Sequence, residues 1–305
     1  MLVLAILSIG LASCSPAATA TIAPAAVPAT TEPAATTAPV EATAPAATTA
    51  PASGSANASV EGCLGSAETA IVDLNCREIS IAVENAYPPF NYVSTTTGKP
   101  GGWDYDTFSE ICTRLHCKPV FKEVAWESLI QSVSNKLEDI GGDGITVTDE
   151  RKEVVDFSKG YIQIEQRLLV RKGETRFKTM DEFAKNDKYI LGTQSGTTNY
   201  ETAVTYLPES RIKAFEQIGF VVQSLINGDV DAVLMDQVVG LGYMGTNADK
   251  VELLTEPIIS QDLAFAFAKG SDLVDPINQA IDAMKADGWL DTVNQKYFSP
   301  DFKVE

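Results

Sequence analysis

From Glu78 to the C-terminus, short β-branched runs alternate with stretches whose apolar residues recur at helical spacing, and this alternation restricts the fold more than any single motif. Residues 79–83 read as a buried strand, 107–115 as a helix with Phe108, Ile111, Cys112 and Leu115 on one face, and 119–124 as a second strand. A helix over 127–134 and a short strand at 139–140, entering a glycine turn, complete the first set. The scheme then repeats with strand 189–193, helices 199–205 and 220–227, and strand 232–235. A strand over 263–268, a helix striped by Val274, Ile277, Ile281 and Met284, and a last helix over 289–297 follow. Such alternation predicts an α/β fold with mostly parallel sheets. Two lobes fit better than one long sheet, because residues 181–185 and the turn-rich Asn186-Asp187-Lys188 open what reads as a fresh α/β unit.

The chain ahead of this region is of another kind. Residues 1–13 are an apolar run ending in Leu11-Ala12-Ser13, which reads as an export signal too short to span a bilayer. Cys14 follows at once, as in a bacterial lipobox, where the thiol takes the lipid and becomes the mature N-terminus; no Lys or Arg precedes it. Residues 14–61 are dominated by Ala, Thr and Pro, cannot bury a core, and read as a disordered tether. The sequence from Gly62 onward is long enough for two lobes of ordinary domain size and has no run fit to cross a membrane.

A net charge of −18 argues against nucleic acid and anionic lipid as partners of the protein surface. Besides Cys14, four cysteines suit an oxidising compartment, and local pairing predicts Cys63–Cys76 and Cys112–Cys117. The alternatives are free thiols, or a metal held by Cys112, His116 and Cys117; three crowded ligands make poor zinc geometry, so no metal is expected.

In α/β sheets ligands sit beyond the carboxyl ends of the strands. The loops there hold 84–90, Trp126, 143–151, 194–199 and Asp236. Asp143-Gly144-Ile145-Thr146-Val147-Thr148-Asp149-Glu150-Arg151 is the richest of these. Glycine lets backbone N–H groups approach a ligand, Thr146 adds a hydroxyl, and Thr148 or Asp149 caps the next helix. Arg151 then lies in that helix's first turn, where a guanidinium can grip a carboxylate with two parallel bonds. Asp236 closes a buried strand, either as a helix cap or as a ligand for an ammonium group.

Gly102-Trp103-Asp104-Tyr105-Asp106, the stretch from Gly144 to Arg151, Asp156-Phe157-Ser158, and the closing Asp287-Gly288-Trp289-Leu290 with Lys296-Tyr297-Phe298 together resemble the family 3 solute-binding proteins of ABC importers for polar amino acids. The likeness spans about residues 78–298. It implies a two-lobed, periplasmic-binding-protein-like (type II) α/β fold with a ligand cleft between lobes and two crossover hinges, near 163–166 and 259–262. Lobe 1 would comprise 62–164 and 261–305, and lobe 2 residues 165–260. The resemblance also implies roles. Arg151, Thr146 and the Gly144 amide would hold an α-carboxylate, helped by Thr197 and Thr198, and Asp236 would hold the α-ammonium. Tyr87 and Trp126 would wall the side chain, with Glu84 at its distal end. Asp143 stands where relatives commonly carry a small residue.

Surplus negative charge from Glu84 and Asp143 favours arginine, lysine or ornithine; Gln194 and Asn199 would instead suit glutamine or another neutral ligand. The expected protein is a monomer without enzymatic activity or cofactor, lipid-anchored on the outer face of the membrane, delivering a free amino acid to an ABC permease and ATPase. The alternatives are a ligand-presenting sensor lipoprotein and a cyclohexadienyl or arogenate dehydratase-like enzyme, with Glu84 or Asp143 as general acid.

Overall fold

The computed structural model describes residues 61–299 and 301–304. The expected signal segment, the Cys14 anchor and all of the tether but Glu61 lie outside the described residues.

Two sheets organise the molecule. The first has the order Cys117–Glu123, Arg77–Val83, Ile140–Gly141, Ala266–Ala268, Val155–Phe157. Its first three strands are parallel, with Ile79 opposite Pro119 and Ile81 opposite Ile140, while Ala266–Ala268 runs antiparallel to both its neighbours. Ile79, Ile81 and Val83 are buried, as the β-branched run predicts. The helix Trp103–Leu115 covers one face with Phe108, Ile111, Cys112 and Leu115, the predicted stripe, all buried. It ends at His116, whose left-handed backbone (φ 50°) turns the chain into the Cys117–Glu123 strand.

The second sheet has the order Ile212–Phe215, Leu191–Gln194, Ala232–Asp236, Ile162–Arg171, Val251–Leu253, with Ile259–Leu263 also paired to Ile162–Arg171. Here the reading of mostly parallel sheets is corrected. Ile162–Arg171 runs antiparallel to Ala232–Asp236, Val251–Leu253 and Ile259–Leu263, so the sheet is mixed. The chain enters this sheet along Ile162–Arg171, ahead of the unit expected to open at Asp181, which is a short helix, Met180–Ala184. The expected strand over 263–268 divides into Ile259–Leu263 and Ala266–Ala268, one in each sheet. Between them the chain docks on the glycine turn, with Ala264 N–H donating to the Ile145 carbonyl at 3.0 Å.

The two segments expected to cross between the lobes therefore pair with each other, Gln163 opposite Asp262 and Gln166 opposite Ile259. Two disulfides, Cys63–Cys76 and Cys112–Cys117, tie down the start of the first sheet. The rival metal trio is not assembled: Cys112 and Cys117 bond each other, and His116 turns to Cys76. No helix among the described residues is long and apolar enough to cross a membrane.

Candidate functional site

The loops after the strands of both sheets converge on one small cavity. Glu84, Tyr87, Trp126, Gly144, Thr146 and Arg151 line it from the first sheet's side, and Gln194, Thr197, Thr198, Asn199 and Asp236 from the second's. All but one of the site residues expected from sequence are in this lining.

Gly144 sits at φ +61°, where a Cβ would come 2.9 Å from Tyr87 Cε1, so only glycine keeps the turn against the ring. Thr148 is the cap of the helix Asp149–Val154, its hydroxyl accepting the Arg151 N–H at 3.1 Å. That cap fixes Arg151 in the first turn. Its Nη1 donates to the Thr146 carbonyl at 3.0 Å, and the guanidinium lies 5.2 Å from the Trp126 ring centre. Burial lowers the Arg151 pKa, and among the described residues no ion pair engages it. Thr146 Oγ1 lies 3.3 Å from Thr198 Oγ1 across the cleft. Thr197 caps the helix Thr198–Tyr206 by accepting the Tyr200 N–H, which keeps the helix's first turn pointed at the cavity.

Asp236 occupies the cap position of the helix Gln237–Asn247, yet its side chain makes no capping bond. Its Oδ2 instead accepts the Tyr87 hydroxyl at 2.7 Å and its Oδ1 the Asn199 amide at 3.3 Å. It is 2% exposed, burial raises its pKa, and it too has no ion pair among the described residues. A carboxylate offers about four lone-pair sites, so both oxygens retain room for another donor. Asn199 Oδ1, buried and without a hydrogen-bond partner, adds an acceptor beside it.

Glu84 lines the cavity, its oxygens accepting Gln194 Nε2 at 3.1 and 3.3 Å. Burial pushes its pKa up to about 7. Trp126 donates its Nε1–H to the Gly196 carbonyl at 3.0 Å, a further bond between the two sides.

Asp143 is the exception. It is buried but does not line the cavity; its Oδ1 takes a very short hydrogen bond from Asn91 Nδ2, and the same amide donates to Asp104 Oδ2 at 2.9 Å. Burial and the Glu84 charge hold its pKa well above the usual carboxylate range, and burial brings Asp104 to about 7. Asp143 thus feels the Glu84 charge without itself lining the cavity. No sequence motif marks Asn91, nor Gln261, whose Oε1 accepts from Thr146, Gln166 and Thr198. A glutamine at position 166 in an otherwise apolar β face was the available signal for the second network.

The family described as bacterial extracellular solute-binding proteins, family 3, matches residues 79–300. The L-cystine-binding protein TcyA of Bacillus subtilis (strain 168) is 29% identical over 225 residues, 73% of this chain and 82% of the relative. The solved arginine-, lysine-, histidine-binding protein ArtJ of Geobacillus stearothermophilus superposes with a TM-score of 0.67 at 29% identity, over 73% of this chain and 95% of the other. A solved ancestral amino acid-binding protein, a precursor of cyclohexadienyl dehydratase, gives a TM-score of 0.68 at 28% identity, over 73% and 96%.

Proposed function

The chain belongs to the bacterial extracellular solute-binding proteins, family 3, and from that premise we propose that it captures a free L-amino acid with a basic side chain for an ABC importer. The observation that carries this reading is the pair of unmatched charges facing one small cavity: the Arg151 guanidinium and the Asp236 carboxylate, neither in an ion pair among the described residues. Withdrawing a charge from water costs several kcal/mol unless a complement is supplied. An α-carboxylate against Arg151, Thr146 and the Gly144 amide, with an α-ammonium against Asp236, supplies both complements at once. Tyr87 and Trp126 then flank the side chain, and Glu84 waits at its far end.

Once Asp236 meets the ammonium, Glu84 is surplus negative charge, and among the described residues no cation besides Arg151 lines the cavity. Arginine, lysine or ornithine would neutralise it. Glutamine is the second reading, favoured by one observation: with its pKa near 7, Glu84 is partly protonated at neutral pH and can donate to an amide carbonyl. Titration calorimetry across these ligands decides between them. Tightest binding to glutamine or glutamate would sink the basic reading.

Lobe 1, residues 62–164 and 261–305, would close on lobe 2, residues 165–260, about the pairing of Ile162–Arg171 with Ile259–Leu263. Ligand shifts that balance because the two halves of its head group are held from opposite sides. The closed form would dock on a membrane permease coupled to an ATPase, with Cys14 as lipid anchor. The cycle has no chemical step. A dehydratase would need a general acid against the ligand, and Glu84 alone of the two expected carboxylates reaches the cavity. Turnover of prephenate or arogenate by the purified protein would establish that alternative, and receptor-dependent signalling without uptake would establish the sensor.

A further inference from the structure

The only histidine in the chain lies outside the cavity and serves no part of the binding reading. His116 Nε2 is 3.2 Å from Cys76 Sγ, and its Nδ1 is 2.7 Å from Asp73 Oδ1. Asp73 also accepts the Asn75 N–H at 2.8 Å, which together with His116 holds its carboxyl below the usual range. Asp73 and Cys76 thus take the two ring nitrogens of His116, an arrangement in which the carboxylate orients the ring toward the sulfur.

The two disulfides differ sharply in access. Cys112 and Cys117 are 1% and 0% exposed, while Cys63 and Cys76 are half-buried at the surface. The two sulfurs of the accessible bridge differ as well. Cys76 Sγ has the imidazole Nε2 at 3.2 Å, whereas Cys63 Sγ, with no proton to donate, faces only its neighbour's carbonyl at 3.9 Å among the contacts of the described residues. In thiol–disulfide exchange the better leaving group is the sulfur whose thiolate is stabilised by a nearby cation or acid.

We propose that Cys63–Cys76 is a thiol-exchange site at which an external thiolate attacks Cys63 Sγ and Cys76 leaves, stabilised by His116 and Asp73. The incoming thiolate supplies the electron pair of the new S–S bond. The old bond's pair departs on Cys76 Sγ, which takes a proton from His116 Nε2 at 3.2 Å. The first step yields a mixed disulfide at Cys63 and one thiol at Cys76, with no net change in the number of disulfides. The partner class is a small-molecule thiol or the reactive thiol of a dithiol oxidoreductase. The opened segment keeps its place through backbone bonds: Leu64 N–H to the Cys117 carbonyl at 2.9 Å, Ile71 to Arg114 at 2.8 Å, and Leu74 to Leu115 at 2.9 Å.

The test exposes the folded protein to reduced glutathione at pH 7, quenches with iodoacetamide at intervals, and maps the cysteines by peptide mass spectrometry. Glutathione should appear on Cys63 and alkylation on Cys76, with Cys112–Cys117 intact. His116→Asn retains a residue that tolerates the left-handed backbone, and should slow the exchange by roughly a hundredfold, the lower end for a positioned acid. Asp73→Asn, which can still accept the Asn75 N–H, should slow it by a smaller factor. Glutathione on Cys76, opening of both bridges at equal rates, or rates unmoved by both substitutions would each overturn the assignment.

Discussion

Acidification should strip this protein of a basic ligand, and the effect traces to one carboxyl group. Glu84 is 5% exposed and held by Gln194, and burial brings its pKa to about 7. A guanidinium or ammonium at the distal end binds the ionised form, so ligand pulls this pKa down. By linkage, affinity is full above pH 7 and declines below it, tenfold per pH unit, until the pKa of the bound state is reached. With a bound-state pKa at or below about 4, the drop between pH 8 and pH 5 is about a hundredfold, or about 2.7 kcal/mol at 1.36 kcal/mol per unit. Calorimetry in two buffers of unlike ionisation enthalpy reads both the dissociation constant and the protons exchanged. Arginine binding at pH 6 should release close to one proton, and Glu84→Gln should remove both the release and the slope. Asp143, Tyr87 and Tyr243 also feel the Glu84 charge, so the variant is what assigns the proton to Glu84 rather than to them. A flat arginine affinity from pH 5 to 8, or a slope that survives Glu84→Gln, refutes the reasoning.

Three further outcomes follow from the same geometry. Arg151→Ala and Asp236→Asn should each weaken ligand binding by about 2–5 kcal/mol, the usual cost of leaving one member of a buried charge pair alone, with melting temperature as the check that each still folds. Gly144→Ala puts a methyl 2.9 Å from the Tyr87 ring in a left-handed backbone, and should cost about 1–3 kcal/mol of stability in urea titrations as well as affinity. The ligand-free protein should melt at lower temperature at pH 8 than at pH 5. Glu84 and Asp104 have folded pKa values raised from 4.5 and 3.8 to about 7, so the folded state holds more protons than the unfolded one in that window, and stability is lost as pH rises through 7; scanning calorimetry at both values checks the sign.

Much of the fold is legible because burial repeats at a fixed period. Ile79, Ile81 and Val83 announce a central strand, and Phe108, Ile111 and Leu115 the helix that covers it. The ten-residue strand Ile162–Arg171 is harder, because Gln163, Glu165, Gln166 and Arg167 interrupt it. Gln166 is fully buried, but for a tertiary reason: its amide donates to Thr198 at 3.2 Å and Gln261 at 3.0 Å. Those partners are remote in sequence, and no local propensity registers them. The same holds for Asp143. Its position in the glycine turn suggests a cavity residue, and it is Asn91, from a short strand more than fifty residues earlier, that holds it behind Glu84.

Asp236 shows how the structure narrows a choice that the sequence leaves open. From sequence alone, an aspartate between a buried strand and a helix is equally a cap or a ligand. The cap would stabilise the helix Gln237–Asn247 by about 1 kcal/mol, and this protein forgoes it: the helix receives no side-chain cap, and the carboxylate turns to Tyr87 and Asn199. Opposite it, the half-buried Arg151 has no ion-pair partner among the described residues, although the chain carries 41 acidic residues that could have supplied one. Both departures lower the stability of the unliganded protein, and both point into the same cavity. Local rules broken together, at one place and with opposite charges, are the signature of a site shaped for something outside the chain. The complement they describe is a molecule that carries an anion and a cation a few ångströms apart.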